Sequence, residues 1–274
     1  MMDIQEQLRT ASPKEVRAAI RNKSFTGGTA GLGGGFIQGN LAILPAEYAT
    51  DFLRFCQRNP KPCPLVGVSE TGDPILHTLG DDIDIRTDVP QYKIFENGNL
   101  IEQVDDIRGY WRDDFVSFIL GCSFSFEDAL MMDGIPLRHI IQNKTVPMYR
   151  TNIQAVEAGP FKGEFVVSMR SMTVKDAIRA VEITSRFPEA HGTPIHFGDP
   201  SAIGIEDVNI PDFGDPTEIK EGEVPVFWAC GVTPQVAIRN AKPSICITHA
   251  PGHMLITDIR GAGAGREQFN TNLH

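Results

Sequence analysis

The chain has 274 residues, 41% of them hydrophobic and 22% charged, which is the composition of an ordinary globular protein with a core sufficient for one large domain or two smaller units sharing a cleft. The formal net charge is -10 and no run of Lys and Arg gathers into a stripe, so a phosphate backbone is repelled and nucleic acid is not an expected partner. No stretch approaches the roughly 18 apolar residues of a membrane helix, and the first 22 residues carry charge throughout instead of a signal peptide's apolar core; a cytoplasmic location without membrane contact is expected.

Residues 13–22, PKEVRAAIRN, read as a helix with Pro13 near its start, and residues 46–58 place Tyr48, Phe52 and Phe55 at helical spacing. Between them, TGGTAGLGGGFIQGNLAILP carries six glycines from Gly27 to Gly35 and reads as a loop. Its order is neither GxGxxG nor a Walker A motif and no apolar strand precedes it, so a nucleotide is not expected. Its backbone amides can still approach a small ligand, with Gln38 and Asn40 as polar contributors.

From Pro64 to Trp111 short runs separated by turn residues, including the hairpin signal Glu96-Asn97-Gly98-Asn99, predict a small antiparallel sheet. FVSFILG at 115–121 is a continuous apolar run followed by a short amphipathic helix that closes at Gly134, and GEFVVSM, PVFWACG and SICITHA read as further buried strands. TVKDAIRAVEITS at 173–185 is the clearest helix, with Thr173 as its N-cap. Residues 199–223, rich in Asp, Glu, Pro and Gly, read as a connection or a lid.

Three of these strands share one design. Phe115–Gly121 leads to Cys122, Pro225–Ala229 to Cys230, and Ser244–Thr248 to His249, and the first two run into helix starts, where Ser123 or Ser125, and Thr233 before Pro234, are suited to capping. If the strands are parallel neighbours, their carboxyl ends line the crevice where open α/β sheets bind ligands, and the helix N-termini offer N–H groups to an anion. The bland alternative for either cysteine is a small buried hydrophobe.

The five cysteines (Cys56, Cys63, Cys122, Cys230, Cys246) form no CxxC pair and read as reduced thiols. The pairs His191/His196 and His249/His253 lack HExxH spacing, so no metal site is expected, with a divalent ion as the minority alternative. Arg86 and Arg170, at predicted strand ends, have the fork geometry to clamp a carboxylate, though Asp84 and Asp88 offer Arg86 a plain salt bridge.

GNLAILP, FCQRNPKPCPL, DIRTDVPQY, GCSFSFEDAL, VPMYRTN, GEFVVSMR, HGTPIHFGDP, PVFWACGVTPQ and ITHAPGHMLITD, taken in order over residues 8–258, resemble the D-glutamate cyclase-like family, which includes bacterial hydro-lyases. The glycine loop departs from it: a TAGLAPGYVQANL-like run is expected where this chain has TAGLGGGFIQGNL.

The resemblance implies an α/β protein, a three-layer α/β/α sandwich with an associated two-layer α+β subdomain. We place the sandwich in residues 1–60, 115–145 and 225–260, the second part in 61–114 and 146–224, and a disordered tail in 261–274. It also implies reversible dehydration of D-glutamate to 5-oxo-D-proline, a carbon–oxygen lyase reaction, with an amino acid or lactam as partner, no resident cofactor and self-association left open. On that scheme the catalytic candidates are Cys122, Ser123, Ser125, Glu127, Cys230 and His249. The substrate-binding candidates are Arg86, Arg170, Gln38, Asn40, Thr233 and His196. The alternative is a non-catalytic binding protein for an amino acid or lactam.

Overall fold

The computed structural model describes residues 4–261. In chain order the helices are α1 (Ile4–Leu8), α2 (Pro13–Arg21), α3 (Ala46–Arg58), α4 (Phe124–Met132), α5 (Arg138–Ile141), α6 (Val174–Thr184) and α7 (Val232–Ala241). The strands are β1 (Phe36–Pro45), β2 (Leu65–Val68), β3 (Tyr92–Glu96), β4 (Asn99–Val104), β5 (Phe115–Gly121), β6 (Met148–Gln154), β7 (Glu164–Thr173), β8 (His196–Phe197), β9 (Glu223–Ala229), β10 (Cys246–His249) and β11 (Leu255–Arg260).

These strands form two sheets in a mixed α/β fold. The larger has the order β2-β5-β1-β10-β3-β4, with β11 also on β1, and the smaller β6-β7-β9-β8. Every pairing is antiparallel. This corrects the expectation of parallel neighbours: β5 and β10 lie in the larger sheet and β9 in the smaller, so the strands ending at Cys122 and Cys230 are not sheet neighbours. Residues 225–260 are divided between the two sheets, β9 in the smaller and β10 and β11 in the larger. The apolar runs were informative about burial, because a strand covered on both faces loses its polar alternation whichever way its neighbours point.

Both faces of β5 are covered. Val116, Phe118 and Leu120 pack with Phe52 and Phe55 of α3, with Phe161, and with Ala237 and Ile238 of α7. Phe115 and Ile119 face the other way, toward Ile43, Ile94, Leu76 and Ile83. In the smaller sheet Val226 and Trp228 meet α4 and α6, while Phe227 packs with Tyr149, Val167 and Met169. At about 1.5–3 kcal/mol for each large apolar side chain buried, these clusters are the main source of stability.

The helices expected at 13–22, 46–58 and 173–185 are present as α2, α3 and α6. Ser12 and Glu15 form a capping box on α2, and the Thr173 hydroxyl accepts from the Asp176 N–H. The 96–99 hairpin joins β3 to β4, with Asn97 and Gly98 at positive φ. The segment read as a glycine-rich loop contains β1, the central strand of the larger sheet, which pairs with β5 on one edge and with both β10 and β11 on the other. Of the expected tail at 261–274, all but Gly261 lies outside the described residues.

Candidate functional site

The ends of β5 and β9 meet at Asn40. The Asn40 amide donates to the carbonyls of Gly121, at 3.0 Å, and Leu120, at 3.3 Å. On the other side Gly231 approaches so closely that a Cβ there would sit 2.4 Å from Asn40 Nδ2. Any larger residue at 231 would therefore have to displace the Asn40 amide from its bonds to β5. Cys122 and Cys230 are thereby brought near enough that each sulfur responds to the charges of Arg170 and Glu127.

Neither α4 nor α7 is capped by a side chain; their N-cap residues are Ser123 and Gly231. The Phe124 N–H lies against the Cys122 sulfur, and the N–H groups of Gly231 and Val232 against that of Cys230. Burial outweighs these donors, pushing the Cys122 thiol up to about 12 and raising that of Cys230. Both stay protonated near neutral pH, so neither is an activated thiolate.

Behind the helix starts lies a buried ion cluster. Arg170 on β7 donates from Nε to Glu127 Oε1 at 3.0 Å, from Nη1 to Ser168 Oγ at 3.0 Å and from Nη2 to Ser123 Oγ at 3.1 Å, with a further very short contact from Nη2 to Glu127 Oε1. Its guanidinium carbon stands 5.2 Å from the Phe126 ring centroid and 5.4 Å from that of Trp228. His139 Nε2 lies 3.1 Å from the same Glu127 oxygen, off the line of a hydrogen bond. Burial would raise the Glu127 carboxyl, but Arg170 and His139 overcome it and hold the group at about 2. Glu127 is thus the fixed countercharge of Arg170 and stays ionised at neutral pH.

A third wall comes from the 3-10 turn Pro188–Ala190, which packs on β5 and α4. A Cβ at Gly121 would fall 1.6 Å from the Glu189 carbonyl oxygen, so Gly121 is what lets the turn seat. His191 follows directly, in the left-handed conformation at φ 77°, with Nδ1 2.8 Å from the Lys61 carbonyl. Burial, together with the charges of Arg170 and Lys61, lowers its imidazole to about 4.

The D-glutamate cyclase family pattern matches residues 116–258, which span α4, β7, β9 and the His191 turn. Relatives named "Putative hydro-lyase" are 60% identical in Verminephrobacter eiseniae (91% of this chain, 91% of the relative) and 62% identical in Dinoroseobacter shibae (89% and 82%). A third, from Azorhizobium caulinodans, is 59% identical (92% and 93%). The chain belongs to the D-glutamate cyclase family.

In this family member the GCSFSFE segment and Arg170 come together as one cluster, but several roles differ from expectation. The Ser123 hydroxyl accepts from Arg170 and does not cap α4. The Ser125 hydroxyl accepts from the Gln38 N–H at 3.1 Å, tying α4 to β1. The Thr233 hydroxyl is bonded to the Val166 backbone and sits inside α7, whose N-cap is Gly231. The Arg170 fork is already engaged by side chains, and Gln38 Nε2 donates to the carbonyls of Thr29 and Leu32, holding the glycine loop.

Other candidates stand apart from this cluster. Arg86 forms a two-point pair with Asp84. His196 stacks on Phe227 and has Nε2 2.7 Å from the Asp199 carbonyl. His249 accepts the Leu41 N–H at 3.0 Å, and burial lowers it to about 4. Among the described residues no three His, Cys, Asp or Glu side chains gather as a metal site would require. His139 was missed altogether, and His191 was noticed only as half of a possible metal pair.

No helix among the described residues is long and apolar enough to cross a membrane.

Proposed function

We propose that this hydro-lyase relative catalyses the reversible dehydration of D-glutamate to 5-oxo-D-proline at the starts of α4 and α7. The observation that carries the reading is the pair of helix starts without side-chain caps, flanked by Cys122 and Cys230 and backed by the Arg170–Glu127 ion pair. A dicarboxylic amino acid presents two anionic groups, and two helix N-termini supply N–H donors and positive dipole ends for both. The γ-carboxylate is a poor electrophile; backbone donors placed for its oxygens also suit the tetrahedral oxyanion formed on attack by the amine. Because amine and carboxylate belong to one molecule, a site that holds the substrate folded supplies much of the acceleration by positioning. A thioester on Cys122 is disfavoured by its high thiol pKa.

The second reading, a binding protein without turnover, draws on Cys122 and Glu127, neither of which changes protonation near neutral pH. Incubating the pure protein with D- and L-glutamate, 5-oxoproline and hydroxy acids separates the two. Conversion of D-glutamate or its lactam supports the proposal. Tight binding of these compounds with no conversion sinks it in favour of the binding protein, and turnover of a hydroxy acid alone would replace the substrate.

A further inference from the structure

In the cluster behind the helix starts the carboxylate is fixed in its charged form, the thiols in their neutral form, and His139 turns its Nε2 toward the Glu127 carboxylate, so none of these is a ready acceptor for the proton that must leave the substrate ammonium. Two further histidines, His191 and His249, are buried outside that cluster, and their first ring nitrogens are held in opposite ways. His249 Nδ1 faces the Leu41 N–H at 3.0 Å and the Leu41 carbonyl at 3.4 Å, and the nearer N–H commits its lone pair and leaves the proton on Nε2. His191 Nδ1 lies 2.8 Å from the Lys61 carbonyl, an oxygen that can only accept, so Nδ1 carries the proton and Nε2 keeps its lone pair.

We propose that His191 is the catalytic base of the dehydration, acting through Nε2. The inference rests on the reaction proposed above. Three features besides the tautomer carry it. The residue is only 2% exposed and is seated by the turn that packs on Gly121, next to Cys122. Its backbone is left-handed, at φ 77°, where it ends the 3-10 turn, so the turn fixes the direction in which the imidazole leaves the chain. Burial, with the charge of Arg170, lowers the imidazole to about 4 and so keeps it neutral at physiological pH, its Nε2 lone pair uncommitted.

In the forward direction Nε2 takes one proton from the α-ammonium, and the freed amine forms the C–N bond to the γ-carbon. The carbonyl electron pair moves onto oxygen to give the tetrahedral intermediate. The proton on Nε2 then passes to the departing oxygen, as does the second proton lost by nitrogen, and the C–O bond breaks. Both nitrogen protons leave in the water, and the imidazole ends as it began.

The decisive variant is His191→Asn. Asparagine tolerates the left-handed conformation, and its amide can replace Nδ1–H as donor to the Lys61 carbonyl, but it has no base. The expected result is a melting temperature close to the parent's and a kcat lowered about 100-fold or more, with KM little changed. Retention of the parent's kcat within a few-fold overturns the role of His191 while leaving the reaction standing. A parent inactive on both D-glutamate and 5-oxoproline removes the reaction, and His191's part in it. Should His191→Asn fail to fold, nitrogen NMR of histidine-labelled parent decides: an unprotonated Nε2 at neutral pH whose resonance shifts on adding 5-oxoproline supports the proposal. A protonated Nε2, or one indifferent to the lactam in an active enzyme, overturns it.

Discussion

Glu127 shows how a residue readable in sequence takes its role from residues that are not. An acid in the first turn of a helix is ordinarily a dipole partner, and only the fold supplies Arg170 and His139 to make it a buried countercharge. Its folded pKa is lowered from 4.5 to about 2, so its contribution to stability is complete above 4.5 and is lost as pH falls toward 2. That contribution is on the order of 3 kcal/mol. Acid unfolding of Glu127→Gln should therefore be shallower between those limits, and at pH 7 the variant should be less stable by about 3–5 kcal/mol because it leaves Arg170 buried without its partner charge. Urea titrations at several pH values measure both. The Ser125→Ala variant should lose about 1–3 kcal/mol, because the Gln38 N–H then lacks an acceptor, and keep its turnover. Loss of rate at unchanged stability would return the hydroxyl to the chemistry. GCSFSFE was legible as a cluster because its members are contiguous. His139 and His191 were not, because what sets them apart is a contact with a residue distant in sequence.

At the scale of elements, the sequence revealed most strands and helices and misjudged how they pair. FVSFILG, PVFWACG and SICITHA are buried strands, but an apolar run reports coverage on both faces and carries no record of strand direction. The central strand β1 was hidden by its glycines. Gly39 reads as loop, yet a Cβ there would lie 2.2 Å from the Ile119 side chain, so the residue is a close approach between strands. Gly121 has the same logic with a larger effect. In Gly121→Ala the new methyl meets the Glu189 carbonyl, so the turn carrying His191 must lift away. We expect a loss of more than about 3 kcal/mol, beyond the usual range for overpacking because the opposing atom is backbone. A melting temperature equal to the parent's would show that the turn seats without this contact.

The molecule as a whole is joined by a shared core as well as by the site. Phe52 and Phe118 from the larger sheet's side pack in one cluster with Phe161 and with Ala237 of α7, which rests on β7. The two sheets should therefore unfold together. Trp111 and Trp228 are the chain's two tryptophans, and Trp228 lies in the smaller sheet. In Trp111→Phe, fluorescence from Trp228 and far-ultraviolet circular dichroism should give one urea midpoint, and two separated midpoints would mean independent units.

The sharing of one β1 edge between β10 and β11 also governs how the chain is born. On the ribosome β1 can pair with β5 once residue 121 has emerged, but its other edge stays open until residues 246–260 follow. For most of synthesis the nascent protein thus carries an apolar strand with one row of backbone donors and acceptors unsatisfied, a template on which another nascent chain can pair. Closing that edge joins segments more than 200 residues apart, as in the pairing of Ala42 with Thr248, which makes it a slow step in folding. A chain stopped before β10 should partition to the pellet on expression, whereas the complete chain should remain in the supernatant.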